Sequence, residues 1–320
     1  MINVAIVGIG NIAKRAALGV KYSKLGNLYM AVSRSVEKAS KFASDLNIEK
    51  TGTFEEMLED NNVNLVYICT SNNVHYEQII TCLNRKKNVI CEKPMVSSEG
   101  EIRELFALAR KNNCFLMEAE KTLFNPVNQR ISKELEKGCI GKINTIVADY
   151  SYNIAKENYE QNHWVFSSTN GGVTLDVGVY PICFALKHTN SPIKNITSYC
   201  KYDETNTYDI YANAVIEFED DIVANITTSW IYQSPKKGSG YIYGDKGYIY
   251  APNFWKENYF EIITNDHVQK ISVEQDSEFS GQIDHACQMI IDNKIESNYY
   301  NEQMHLTLNR IITNIKNRKG

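Results

Sequence analysis

The sequence lacks an excess of either charge: 34 Lys and Arg stand against 38 Asp and Glu, a net of -4. Without a basic face, nucleic acid is excluded as an expected partner. No apolar run approaches the ~20 residues that cross a bilayer, so no membrane partner is expected. Met1 leads straight into a strand-like segment, without the basic stretch, apolar stretch and cleavage site of an export signal. The eight cysteines (Cys69, Cys82, Cys91, Cys114, Cys139, Cys183, Cys200 and Cys287) form no C-x-x-C pair, and several lie inside apolar runs. Free buried thiols in a reducing cytoplasm are expected, rather than disulfides or a zinc site, and no metal. Three tryptophans against 20 tyrosines reflect base composition more than function.

What is present is an ordinary globular composition, 43% apolar and 22% charged over 320 residues. That length suits two domains with well-packed cores. Up to about residue 120, short β-branched runs at 2–7, 28–33, 65–70, 88–91 and 115–118 alternate with amphipathic stretches near 11–24, 35–46, 74–86 and 98–112. Near-continuous apolar strands separated by helices indicate a doubly wound parallel sheet covered on both faces. After Asn125-Pro126 the pattern changes. A helix near 126–137 precedes a strand at 142–152, and another helix follows Gly171-Gly172. Period-two alternation then runs through Ile210, Ala212, Ala214, Ile216 and Phe218 and again through Ile222, Ala224, Ile226, Thr228 and Trp230. Such alternation marks antiparallel strands with one face buried. Turns are expected at Asp220-Asp221 and Asp245-Lys246-Gly247, and helices near 279–292 and 302–317. The expectation is an α/β protein. Residues 1–121 form a Rossmann domain, and residues 122–320 an α+β domain on a large open, mainly antiparallel sheet. The other face of that sheet keeps Tyr211, Val215, Val223 and Tyr232, which suits a homodimer or homotetramer formed through it.

The first strand ends in Gly8-Ile9-Gly10-Asn11-Ile12-Ala13, a G-x-G-x-x-A in the first βα turn. Gly8 allows the tight turn, Gly10 the approach of a pyrophosphate, and Ala13 close packing of helix on strand. The diphosphate would rest on the helix N-terminus, where free N–H groups and the helix dipole favour an anion. At the end of the second strand, where an acid would hold the ribose 2′-hydroxyl of NAD, the chain reads Ser33-Arg34-Ser35, with Lys38 one turn on. These cations suit a 2′-phosphate, so the expected cofactor is NADP. NAD is the alternative, with Arg34 and Lys38 a solvated helix face. Two later strands end in Thr70-Ser71-Asn72-Asn73-Val74-His75 and in Glu92-Lys93-Pro94. Both stretches belong to the ligand crevice at the carboxyl edge of the sheet. The proline restricts Lys93 and aims its ammonium.

These motifs resemble the glucose-fructose oxidoreductase/inositol dehydrogenase (Gfo/Idh/MocA) family. The resemblance is carried by Gly8-x-Gly10-x-x-Ala13, Thr70 with His75, Glu92-Lys93-Pro94, Met117-Glu118-Ala119 and the run from Gly171-Gly172 through Asp176-x-Gly178-x-Tyr180. It extends over essentially the whole chain. It implies an NAD(P)-dependent oxidoreductase in which Lys93, Asp176 and Tyr180 lie at the reacting centre and Tyr180 is the acid–base group. Gly8, Ile9, Gly10, Asn11, Ile12, Ser33, Arg34, Lys38, Thr70, Ser71, Asn72, His75, Glu92, Lys93 and Glu118 are the candidate dinucleotide contacts. Tyrosine at 180, where many relatives have histidine, looks like the dihydrodiol and D-xylose dehydrogenase branch. Two departures stand out: Ser71 where a proline is common, and Val165 after Trp164 where several relatives have arginine. Tyr152, Asn162, His163 and Trp164 are candidates for the substrate site, or equally for core packing.

The implied reaction is reversible hydride transfer between the nicotinamide and a carbinol or carbonyl carbon of a sugar or related cyclic alcohol. Tyr180 would exchange the hydroxyl proton. An ordinary tyrosine pKa is about 10, so the Lys93 cation would be needed to favour the phenolate. Asp176, four residues before Tyr180, would share one face of an α-helix with it. Three alternatives stay open: a reductase for a non-sugar carbonyl, a non-catalytic dinucleotide-binding regulator, and redox-assisted glycoside hydrolysis.

Overall fold

Apolar strands and amphipathic helices of the first half build a parallel sheet in the computed structural model. It describes residues 1–157, 159, 163–168, 171–189, 191–265 and 267–317. The chain divides into two units, Met1–Phe124 with Asp276–Leu306, and Asn125–Gln275 with Thr307–Gly320.

In the first unit, β1 (Ile2–Val7), α1 (Asn11–Lys21), β2 (Gly26–Val32), α2 (Val36–Leu46), β3 (Lys50–Gly52), α3 (Phe54–Glu59), β4 (Leu65–Ile68), α4 (His75–Asn84), β5 (Asn88–Glu92), α5 (Glu99–Asn112), β6 (Leu116–Ala119) and α6 (Lys121–Phe124) follow in order. The six strands are parallel, in the order β3-β2-β1-β4-β5-β6. This is the dinucleotide-fold order, reversing between β1 and β4. Burial on both faces explains the unbroken apolar runs: β4 is buried throughout, and β1 from Val4 onward. Ser98 caps α5 by accepting the Glu101 N–H at 3.2 Å, and its hydroxyl donates to the Glu101 carboxylate at 2.9 Å. A full capping box at Thr53 and Glu56 starts α3. The three-residue β3 and the short α3 are too brief for periodicity to reveal.

In the second unit, α7 (Pro126–Glu136) leads to β7 (Ile143–Ser151). A π-helical segment, Thr174–Gly178, runs directly into α8 (Val179–Lys187). The remaining strands are β8 (Ile193–Tyr202), β9 (Asp209–Phe218), β10 (Val223–Ser229), β11 (Gly238–Gly244), β12 (Gly247–Pro252), β13 (Tyr259–Thr264) and β14 (His267–Ser272). They form one eight-stranded sheet, β14-β13-β12-β11-β7-β10-β9-β8, antiparallel except where β10 runs parallel to β7. Ala212, Ala214, Ile216 and Phe218 are buried on one face, as their alternation requires, and Ala224, Ile226 and Thr228 pair beside them. Ile210 is only half-buried.

The last two helices, α9 (Ser280–Ile291) and α10 (Glu302–Asn317), do not simply extend the second unit. Residues 276–306, which include α9, belong with the first unit, whereas the sequence pattern places all of 122–320 in the second domain. The reason is steric fit: Gly19 of α1 leaves room for Phe279, whose Cβ would lie 2.5 Å from any Cβ added at Gly19. The Phe124 carbonyl likewise abuts Gly281. Among the described residues, no helix is long and apolar enough to cross a membrane, and no group of three or more His, Cys, Asp or Glu is placed to hold a metal ion.

Candidate active site

The first βα turn fits a dinucleotide. Gly8 has φ +85°, and a Cβ there would meet the Cys69 carbonyl oxygen and the Thr70 methyl at 2.9 Å. Gly8 therefore sits against the end of β4, where the strand order reverses. A Cβ on Gly10 would meet nothing within 4 Å, which is the open space that a diphosphate needs. Gly10 is the N-cap of α1 and gives no side-chain cap, so the first N–H groups, at Asn11 and Ile12, stay available to an anion. Ala13 is fully buried beneath the helix.

At the end of β2, the Ser33 hydroxyl accepts the Ser35 N–H at 3.2 Å, and Ser35 caps α2 by accepting the Lys38 N–H at 3.3 Å. Arg34 and Lys38 are exposed beside this turn, and no acid occupies 33–35. Thr70 donates to the Gln78 side chain at 2.6 Å; Ser71 precedes a short 3₁₀ turn over Asn72–Val74, and α4 starts at His75.

Three expected dinucleotide contacts, His75, Glu92 and Glu118, are buried and hydrogen-bonded within the first unit. His75 is buried and shares its two ring nitrogens with the carbonyls of Pro94, at 3.0 Å, and Thr70, at 3.1 Å. Burial lowers its pKa. Glu118 accepts the Met95 N–H at 2.6 Å and the Tyr300 hydroxyl. Both residues thus hold the peptide group between Pro94 and Met95, His75 at its carbonyl and Glu118 at its N–H, directly after the cis Lys93–Pro94 bond. Glu92 accepts the Tyr67 hydroxyl at 2.7 Å, and Tyr67 in turn accepts from Gln282 at 2.7 Å. Burial raises the Glu92 pKa, opposed by the Tyr67 hydrogen bond and by the Lys93 charge. Lys93 itself is half-buried at the carboxyl edge of β5.

In the second unit the turn at 171–172 is packed too tightly for a side chain. Gly172 has φ +97°, and a Cβ there would overlap the Asp209 carboxylate. Asp209, fully buried, accepts the Thr174 N–H at 2.8 Å and the Thr174 hydroxyl at 2.6 Å. Lys316 lies 3.5 Å from the same carboxylate and donates to the Gly171 carbonyl at 2.8 Å. Sequence reasoning missed both residues, since nothing local links positions 172, 209 and 316. Thr174 opens the π-helical segment that carries Asp176. Asp176 and Tyr180 therefore do not share one turn of an α-helix as expected; the wider π turn intervenes, and such turns recur at functional sites. Asp176 is buried and accepts the Tyr152 hydroxyl at 2.7 Å. Burial and then the Asp176 charge push the Tyr152 pKa up. Tyr180 is half-buried in an aromatic group: its ring centroid lies 5.6 Å from Tyr150 and 6.3 Å from Trp255, and those two rings stack at 3.8 Å. Trp164 packs against the neighbouring cluster of Tyr152, Val173, Val177 and Trp230. His163 accepts the Val165 N–H at 3.5 Å. Asn162 lies outside the described residues.

The profile of an oxidoreductase family with an NAD-binding Rossmann fold matches residues 2–120, and that of the GFO/IDH/MocA C-terminal domain matches residues 128–250. The chain belongs to the Gfo/Idh/MocA oxidoreductases. It is 31% identical to a trans-1,2-dihydrobenzene-1,2-diol dehydrogenase of Xenopus laevis, over 77% of this chain and 73% of that one. It is 26% identical to a dTDP-3,4-didehydro-2,6-dideoxy-alpha-D-glucose 3-reductase of Actinomadura kijaniata, over 71% and 68%. Among solved structures, a Caulobacter crescentus aldose-aldose oxidoreductase complexed with glycerol superposes with a TM-score of 0.86 at 20% identity, over 98% of this chain and 96% of that one. A 3-ketoreductase from Actinomadura kijaniata, in complex with NADP and TDP-benzene, gives 0.83 at 21% identity, over 98% and 97%. This Gfo/Idh/MocA protein is thus an NAD(P)-dependent oxidoreductase of the dehydrogenase and reductase type.

Proposed function

We propose that this oxidoreductase interconverts a hydroxyl and a carbonyl group on a sugar or related cyclic alcohol, with NADP as the preferred cofactor. The observation that carries the reading is Tyr180, a half-buried phenol in an aromatic setting, four residues from a buried carboxylate already engaged by Tyr152. When bound, the nicotinamide gives or accepts the hydride. Tyr180 takes the hydroxyl proton in oxidation and returns it in reduction. Lys93 supplies the positive charge that favours the oxyanion. Asp176, which accepts the Tyr152 hydroxyl, orients the substrate hydroxyl. The flat stack of Tyr150 and Trp255 suits a ring-shaped substrate, in keeping with the cyclic compounds named for the two relatives.

Exposed Arg34 and Lys38, with no acid at 33–35, support NADP over NAD. The outward tyrosines of the sheet, Tyr199 and Tyr243, are 51% and 37% exposed and favour a dimer or tetramer through that face. Eight cysteines outside any disulfide favour a cytoplasmic setting. The decisive experiment is a pair of variants. Tyr180→Phe and Lys93→Met should each lower kcat by roughly 10²–10⁴-fold while NADP still binds. Near-normal turnover in either variant would refute its assigned role.

A further inference from the structure

A second carboxylate stands beside Lys93. Strands β5 and β6 run parallel, with Cys91 opposite Glu118 and Glu92 opposite Ala119. The next residues on the two strands are Lys93 and Glu120, so the two leave the carboxyl edge of the sheet at the same level. Glu120 is 1% exposed. One carboxylate oxygen accepts the Thr122 N–H at 3.1 Å; the other is buried without a hydrogen-bond partner among the described residues. A buried carboxylate with an idle oxygen is costly unless a charge compensates it. Charged groups that act on Glu120 include Lys93, Glu118 and Lys121. Lys121 is committed to Glu278 through an ion pair, and Glu118 repels. Lys93, level with Glu120 at the edge of the sheet, is a cation whose charge lowers the cost of ionising it.

We propose that Glu120 is a positioning residue that holds the Lys93 ammonium in its working place at the carboxyl edge of the sheet. The inference rests on the reading that Lys93 serves the reaction. Glu120 also makes the arrangement sensitive to pH. Burial raises its pKa to about 7, against the lowering effects of Thr122 and Lys93. Above that pH the carboxylate is charged and retains Lys93; below it the carboxyl is neutral and the hold is lost.

The test compares wild type, Glu120→Gln, Glu120→Asp and Lys93→Met by pH–rate profile and by NMR of reductively ¹³C-methylated lysines in the cofactor-free protein. The Lys93 resonance is the one that Lys93→Met removes. In wild type, kcat should fall as pH drops through about 7, and the Lys93 resonance should step over the same range. Glu120→Gln should lose both the acid limb and the step, with kcat at pH 8 lower by about 10- to 100-fold, the worth of one charge-assisted contact. Glu120→Asp should restore the limb and the step. A Lys93 resonance without a step in wild type, or with one that persists in Glu120→Gln, would overturn the proposal whatever the variants do to folding. If Lys93→Met kept normal turnover, the role of Lys93 in the reaction would fail instead, while the NMR step would still judge the contact between Glu120 and Lys93.

Discussion

Replacing Asp209 by alanine tests whether the turn at 171–172 is built around a buried charge. Asp209 is fully buried, and Lys316, at 3.5 Å, is 17% exposed. Removing the carboxylate strands the Thr174 N–H, the Thr174 hydroxyl and most of the Lys316 charge. Breaking one side of such a pair costs about 3–5 kcal/mol. Asp209→Asn keeps the volume and an acceptor oxygen, so it should cost only about 1–2 kcal/mol. Lys316→Met in the Asp209→Ala background removes the orphaned cation, and the double variant should be more stable than the sum of the single effects by about 1–3 kcal/mol. The three tryptophans, Trp164, Trp230 and Trp255, all belong to the second unit. Tryptophan fluorescence in urea therefore reports the unit that carries the change. The π-helical segment starts at Thr174, so Asp209→Ala should also depress kcat at pH 8 while leaving the binding of NADP to the first unit intact. A loss of stability below about 1 kcal/mol in Asp209→Ala, or strict additivity in the double variant, would refute the reasoning.

Three further outcomes are expected. Tyr67→Phe leaves the buried Glu92 without its 2.7 Å donor and should destabilise the protein by about 1–3 kcal/mol, read by chemical denaturation. Arg34→Ala should raise KM for NADP about tenfold or more and leave KM for NAD nearly unchanged; equal effects on both, or a wild-type preference for NAD, would remove the 2′-phosphate assignment. The pKa of Glu120, raised from 4.5 to about 7, means that the folded state holds a proton that the unfolded state has released. The stability associated with that proton is full below pH 4.5 and is lost as pH rises to about 7. Glu120→Gln should therefore match wild type near pH 4.5 and exceed it at pH 8 by at most about 3 kcal/mol, measured as the urea midpoint at each pH. Such a variant, more stable and less active, is the trade expected where a site holds an unfavourable charge for function.

Much of the first unit could be read directly, because strands buried on both faces write themselves as apolar runs and helices as a repeat of 3.6. The glycine turn at residue 8, the cation-bearing end of β2 and the Lys-Pro turn after β5 all follow from local chemistry. His75, Glu92 and Glu118 show where that reading stops. Which way their polar atoms face is set by Pro94, Met95, Tyr67 and Tyr300, some far away in sequence. Glu120 and Lys121 are two charges that follow a buried strand, as Lys93 does, but no proline marks them.

By itself the sequence determined the layers of the fold, the dinucleotide turn and the family, since each depends on spacing within a few residues. Tertiary structure alone decided that residues 276–306 return to the first unit, that Asp209 and Lys316 clamp the turn at 171–172, and that the segment bearing Asp176 is π-helical. Each of these depends on steric fit or charge pairing between positions tens to hundreds of residues apart. No periodicity records such pairs; they exist only once burial has removed the water that would otherwise satisfy the same groups.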